Sequence, residues 1–292
     1  MTQALARRRG IALLLLTTLL WGTTFPANKV ATALLSPAQL VCLRFGIAAL
    51  LLAPWLRRAT RATLRDGLLT GVLAVVSYFT FVLGITTISG SRAGFLIGMN
   101  VVLVPMAMPL LGRTLTGRAI AGALLAACGL AVLAVRVGSL SLSAGDLWVL
   151  ASATSFAAYV LVMDARVHGH DALALSAVQL ATAFVLALAW SFLEGAPWPH
   201  LRGDATWLVA WLGIACTALP TWAQVVGQRV VAPAQAAVIY ALEPVFAAAC
   251  SALWLGERMG MREWLGGALI LAGTLACLAP WPADRTTATA AP

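Results

Sequence analysis

Apolar residues run through this chain in long blocks, separated by short polar joints. A helix needs about 20 apolar residues to cross the hydrocarbon core of a bilayer. Ten blocks approach that length, at about 10–31, 37–56, 67–88, 92–111, 118–137, 144–164, 172–193, 205–226, 233–255 and 263–281. Runs this long are not the tilted strands of about 9–11 residues that build a barrel. They predict helices, which satisfy their own backbone in lipid. The pattern therefore predicts an all-α polytopic membrane protein with ten transmembrane helices. Joints such as "LLSPAQ", "ISGSRAG" and "VVAPAQAA" carry turn residues and leave no room for a soluble domain.

Composition agrees with this pattern. The 292 residues are 61% hydrophobic and 10% charged, against about 25% charged in a soluble domain. The net charge of +9 comes from Arg residues scattered between apolar blocks. Topology explains such residues, and no aromatic-basic interleaving predicts a nucleic-acid partner. The first block follows Arg7, Arg8 and Arg9 as in a signal peptide, but its length and the missing A-x-A site read as a retained span. Ten spans put both termini on one side. With the termini in the cytoplasm, twelve Arg fall inside and five (Arg92, Arg136, Arg202, Arg258 and Arg262) outside, as the positive-inside rule expects. The tail at 283–292 is small and polar and is expected to be disordered.

The chain repeats itself. At a constant offset of 144, Leu111, Gly112, Arg118, Gly122, Leu125 and Gly129 match Leu255, Gly256, Arg262, Gly266, Leu269 and Gly273. Extended backwards, Met99 falls on Glu243 and Asn100 on Pro244. The halves are 1–138 and 139–282. Five spans is an odd number, so the second half is expected upside down relative to the first, an architecture in which two related halves rock about a midplane site. Internal prolines mark spans one (Pro26), four (Pro105, Pro109), eight (Pro220) and nine (Pro244). Spans four and nine are repeat equivalents, and matched broken helices point to a binding site. Gly122/Gly129 and Gly266/Gly273 are expected to serve close helix packing.

Polar residues inside spans need a reason, because a charge at a span centre costs about 2.5–3.5 kcal/mol. Glu243 is central in span nine. It either lines a cavity or accepts hydrogen bonds as a structural acid. Pro244 beside it frees the carbonyl of Tyr240. Asn100 and Met99 are central in span four. Tyr78, Tyr159 and Tyr240 are the only tyrosines and lie deep, as candidate cavity walls. Arg44 is expected to be structural and Lys29 to snorkel outward. Trp21, Trp148, Trp190, Trp207 and Trp254 read as interfacial or packing residues. His168, His170 and His200 read as solvated loop. No metal, nucleotide or hydrolase motif appears, so no cofactor and no enzyme activity are expected. The five cysteines, Cys42, Cys128, Cys216, Cys250 and Cys277, read as small packing residues.

The motifs "LLWGTTFPANK" (19–29), "LRFGIAALLL" (43–52), "ALEPVFAA" (241–248) and "LGERMGMREWLGGALILAG" (255–273) resemble the EamA family of the drug/metabolite transporter superfamily. Within it the chain is most similar to YddG-type bacterial amino acid exporters. The resemblance implies a secondary transporter in the bacterial inner membrane, with partners limited to lipid and a small-molecule substrate, an amino acid or related metabolite. Export of drugs or other metabolites, and a non-transporting scaffold, are the alternatives. Oligomeric state is not legible in the sequence.

Overall fold

The computed structural model describes residues 3–88, 90–134, 142–198, 203–255 and 260–278. The tail at 283–292, His200 and the side chains of Lys29, Arg92 and Trp254 lie outside what is described, as do Arg136, Arg202, Gly256 and Arg258. The described residues are helical: α1 (Gln3–Ala31), α2 (Pro37–Leu52), α3 (Arg61–Ile85), α4 (Gly90–Gly98), α5 (Asn100–Ala107), α6 (Gly117–Ala134), α7 (Ala144–Arg166), α8 (Ala172–Glu194), α9 (Asp204–Gly213), α10 (Leu219–Gln228), α11 (Pro233–Tyr240), α12 (Glu243–Leu255) and α13 (Met261–Leu278). Seven described stretches are long and apolar enough to cross a membrane, and three shorter apolar helices lie at 93–107, 117–132 and 264–278. Those three fall on the expected spans four, five and ten.

The helix starts follow local chemistry. Ser36 caps α2 through a reciprocal box with Gln39, with Pro37 in the first turn, where a missing N–H costs nothing. Ser143 and Asp146 form the same box on α7. Thr60 and Asp171 cap α3 and α8. α3 begins at Arg61, six residues before the apolar run, because the Thr60 cap recruits a polar turn that carries Asp66.

α6 packs along α13, α3 lies against α7 and α8, α2 against α8, and α1 against α10 and α12. The α6–α13 contact rests on glycine. A Cβ on Gly129 would meet the Gly266 carbonyl oxygen at 2.6 Å, and one on Gly122 would meet that of Gly273 at 2.7 Å. Apolar side chains also point outward: Leu110, Leu193 and Leu253 are each more than four-fifths exposed. An outer surface of this kind has lipid as its natural solvent.

One end of the bundle is tied by charge. Asp66, nearly fully buried, has His170 Nε2 at 3.0 Å, Arg65 Nε at 3.1 Å and Arg166 Nη1 at 3.7 Å. His170 also places Nδ1 3.1 Å from Thr63 Oγ1, and Arg229 donates to its carbonyl oxygen. Arg113 pairs with Asp164 at the same end. This corrects the reading of His170 as a solvated loop residue. Its ring is buried because Asp66, on a neighbouring helix, supplies a partner that the sequence spacing does not reveal.

Candidate functional site

Two helices break near mid-length, and different chemistry breaks each. Between α11 and α12 the break falls at Ala241 and Leu242. Pro244 has no N–H to bond the Tyr240 carbonyl, and its ring crowds that carbonyl. Glu243 then opens α12, in its first turn, where the positive end of the helix dipole favours a carboxylate by about 0.3–1 kcal/mol. Between α4 and α5 the break falls at Met99. There the Asn100 side chain acts: Nδ2 donates to the Ile97 carbonyl oxygen at 3.0 Å and so competes with the helix for an acceptor.

A third distortion lies between α9 and α10, a π-helical turn over Ile214–Ala218. Pro220 cannot donate to the Cys216 carbonyl four residues back. Arg44 takes that carbonyl instead, with Nη2 at 3.1 Å, while Nε donates to Thr217 Oγ1 at 2.9 Å. Nη2 also donates to the Tyr78 hydroxyl at 3.3 Å, and the guanidinium carbon sits 4.7 Å from the Tyr78 ring centre. Arg44 is only 1% exposed, and among the described residues it forms no ion pair.

These features surround one cavity of about 70 Å³. α1 contributes Trp21, Thr24 and Asn28, and α3 contributes Ser77, Tyr78 and Phe81. Ile97 and Asn100 come from the first broken helix, Ser152 and Phe156 from α7, and Glu243 from the second broken helix. Ser77 and Ser152 lock α3 to α7: each hydroxyl donates to the other's carbonyl oxygen, at 3.2 and 2.7 Å. Two lining polar atoms, Asn28 Oδ1 and Asn100 Oδ1, are buried without a hydrogen-bond partner among the described residues. Among the described residues Glu243 forms no ion pair. No group of three metal-ligating side chains occurs among the described residues.

Of the six residues singled out from sequence, Glu243, Asn100 and Tyr78 line this cavity. Tyr159 and Tyr240 stand behind its wall, with ring centres 5.9 and 5.6 Å from that of Phe156. Met99 marks the helix break and is not a lining residue. Trp21, read from sequence as interfacial or packing, packs on Phe156 at 5.6 Å and Tyr240 at 5.5 Å. The other eight lining residues, Trp21, Thr24, Asn28, Ser77, Phe81, Ile97, Ser152 and Phe156, do not stand out in the sequence as cavity lining. Their signal is the helical spacing of Trp21, Thr24 and Asn28, and of Ser152 and Phe156, along one face.

The cavity sits well away from the charged end. At 1.5 Å per residue, Trp21 to Asn28 lie roughly 20–30 Å along α1 from Arg7. The intervening layer is packed. Tyr159 shares its hydroxyl between Gln179 Oε1 (3.4 Å) and Gln224 Oε1 (3.2 Å), and Gln228 Nε2 donates to the Val160 carbonyl oxygen. A second cavity of about 550 Å³ opens below that layer, beside Arg7, Asp164, Gln228 and Arg229.

A helical membrane bundle with a small, mostly apolar cavity that carries a few polar groups between two broken helices defines a class of protein built to hold a solute inside the bilayer. The chain belongs to the EamA-like transporter family, whose model matches residues 8–135 and again residues 143–279. It is 33% identical over 93 residues to an uncharacterized transporter of Archaeoglobus fulgidus. That match spans 32% of this chain and 29% of the relative's length. A solved crystal structure of a protein shares the fold with a TM-score of 0.76, covering 92% of this chain and 96% of that one at 20% identity.

Proposed function

We propose that the protein is a secondary transporter of the bacterial inner membrane that exports amino acids or related small metabolites, in the manner of YddG-type exporters. In this reading the chain crosses the bilayer ten times, with both termini in the cytoplasm, as two inverted five-helix halves. The observation that carries it is the pair of helix breaks, at Met99 and at Ala241–Leu242, flanking one cavity that holds a carboxylate. Sequence register brings these two breaks within two residues of each other, and broken helices at matching positions suit a midplane site.

Two further observations support the reading. The family model matches the chain twice, once in each half. Exchanging the first five spans for the second carries the α3–α7 contact onto the α10–α1 contact, and α6–α13 onto itself. Such a pairing suits halves that rock against one another. Along α7, Tyr159, bonded to Gln179 and Gln224, lies between the cavity-lining Phe156 and Asp164 of the charged end. A cavity of about 70 Å³ takes a few waters or a small head group, so a larger cargo requires the helices to part.

The test is counterflow in liposomes containing the purified protein, with labelled amino acids supplied singly. Uptake above empty liposomes for at least one of them is expected. No flux of any amino acid would sink the reading.

A further inference from the structure

The cavity of about 550 Å³ at the charged end has basic walls. Its volume falls in the range of about 300–1,000 Å³ that small-ligand sites occupy. Arg7 lines it from α1, Asp164 from α7, and Gln228, Arg229 and Val230 from the end of α10 and the turn that follows. Asp164 is already matched by Arg113. Neither Arg7 nor Arg229 forms an ion pair among the described residues. Arg229 spends one N–H on the His170 carbonyl oxygen, and its Nε is buried without a partner among the described residues. Buried N–H groups are rarely left so. Gln228 has the opposite need. Its Nε2 donates to the Val160 carbonyl oxygen at 3.0 Å, which fixes the amide and leaves Oε1 as the buried atom without a partner among the described residues. The wall thus asks for anionic oxygens and for a donor.

The wall is held by close backbone packing. α1 and α10 meet at Gly10, three residues after Arg7, and Gly227, two residues before Arg229. A Cβ on Gly227 would lie 2.6 Å from Leu14 Cδ2 and 3.1 Å from the Gly10 carbonyl oxygen. Both arginines are therefore presented from a tightly packed helix pair. Exposed apolar side chains lie beside them: Val230, which lines the cavity, is 41% exposed, and Leu5, two residues from Arg7, is 50% exposed. Cations next to exposed apolar groups suit the boundary between head groups and acyl chains, and basic pockets between membrane helices bind acidic head groups.

We propose that this cavity binds the head group of an anionic glycerophospholipid. Arg7 and Arg229 take the phosphate oxygens through charge-assisted hydrogen bonds, Gln228 accepts from a head-group hydroxyl, and the acyl chains leave past Val230. Inorganic phosphate shares the anionic oxygens but has no chains to cover the exposed apolar rim. A bound lipid ties α1 to the turn between α10 and α11. The inference needs only a helical bundle in a membrane and is independent of the cargo.

The test is thermal unfolding of the full-length protein in a neutral detergent. Dioleoyl phosphatidylglycerol, dioleoyl phosphatidylcholine or inorganic phosphate is added at matched ionic strength. Phosphatidylglycerol is expected to raise the unfolding temperature saturably, as a ligand of the folded state does, and the other two to need about tenfold more or to have no effect. Arg7→Gln and Arg229→Gln should each raise the half-saturating phosphatidylglycerol concentration by about tenfold or more, with Arg7→Lys in between because it keeps the charge and loses the fork. The Arg57→Gln/Arg61→Gln pair removes two exposed charges that do not line the cavity and should leave that concentration unchanged. Equal protection by phosphatidylcholine, no protection by phosphatidylglycerol, or an equal loss in the Arg57→Gln/Arg61→Gln pair overturns the site. Equal protection by inorganic phosphate gives the site to a soluble anion and overturns the lipid. Native mass spectrometry of wild type in an equimolar mixture of the two lipids decides the matter even where Arg229→Gln fails to fold: preferential retention of phosphatidylglycerol is expected, and equal retention of both overturns the proposal.

Discussion

Alanine at Gly129 forces a test of how α6 and α13 are held together. The added Cβ would lie 2.6 Å from the Gly266 carbonyl oxygen, 2.7 Å from Ile270 Cγ1 and 2.9 Å from Ile270 N. Backbone atoms account for two of these three contacts, so a rotamer change cannot relieve them. Relief from 2.6 Å to an ordinary contact of about 3.4 Å means parting the helices by about 0.8 Å. Overpacking of this kind costs about 1–3 kcal/mol. Gly122 is seven residues, two turns, away on the same face and makes the equivalent contact with Gly273. Helices already parted at one glycine are partly parted at the other. The Gly122→Ala/Gly129→Ala pair should therefore cost less than the sum of the singles by about 0.5 kcal/mol or more. Gly117 has nothing within 4 Å of an added Cβ, and Gly117→Ala should fall within about 0.5 kcal/mol of wild type. Thermal unfolding of the purified protein in one detergent reads all four variants side by side. If Gly129→Ala unfolds with Gly117→Ala and wild type, the glycine contact does not hold these helices.

Three other outcomes follow from the same packing. Pro220→Ala supplies the N–H that the Cys216 carbonyl lacks, so the π-helical turn should relax to α-helix and release Arg44; stability should hold or rise while counterflow falls about tenfold. Ser152→Ala removes the hydroxyl that donates to the Ser77 carbonyl oxygen and lies 3.1 Å from the Ser77 hydroxyl, and should cost about 0.5–1.5 kcal/mol in the same unfolding assay. His170→Ala deprives buried Asp66 of its buried partner, leaving the more exposed Arg65 and Arg166; a loss of about 1–3 kcal/mol is expected, with Asp66→Asn/His170→Ala costing less than the two singles combined.

The sequence shows the site only where a residue violates its surroundings. Glu243 and Asn100 stand out because a carboxylate and an amide are costly in an apolar run, and both line the cavity. Pro244 announces its break for the same reason. The break at Met99 has no proline, and its cause is a local bond from Asn100 to Ile97 that residue identity alone does not reveal. Trp21 and Phe156 look like any aromatic residues in membrane helices, and only the packing of α1 against its neighbours turns them inward. Arg44 looks like a structural cation. Its role depends on a carbonyl freed by Pro220, 176 positions later in the sequence. The glycine repeat was legible because its spacing is strict, whereas the number of spans was less so: α4, α5, α6 and α13 are short, and length is what a hydropathy count measures.

The central claim is that the carboxylate between the two broken helices handles the cargo. Counterflow of a labelled amino acid, with and without an imposed pH gradient, compares wild type with Glu243→Gln, a near-isosteric change that removes the acid and replaces one acceptor oxygen with an amide donor. The account predicts robust flux in wild type and a loss of about tenfold or more in Glu243→Gln, at matched protein content and unfolding temperature. Equal flux in the two proteins, under both conditions, would remove Glu243 from the mechanism and contradict the account.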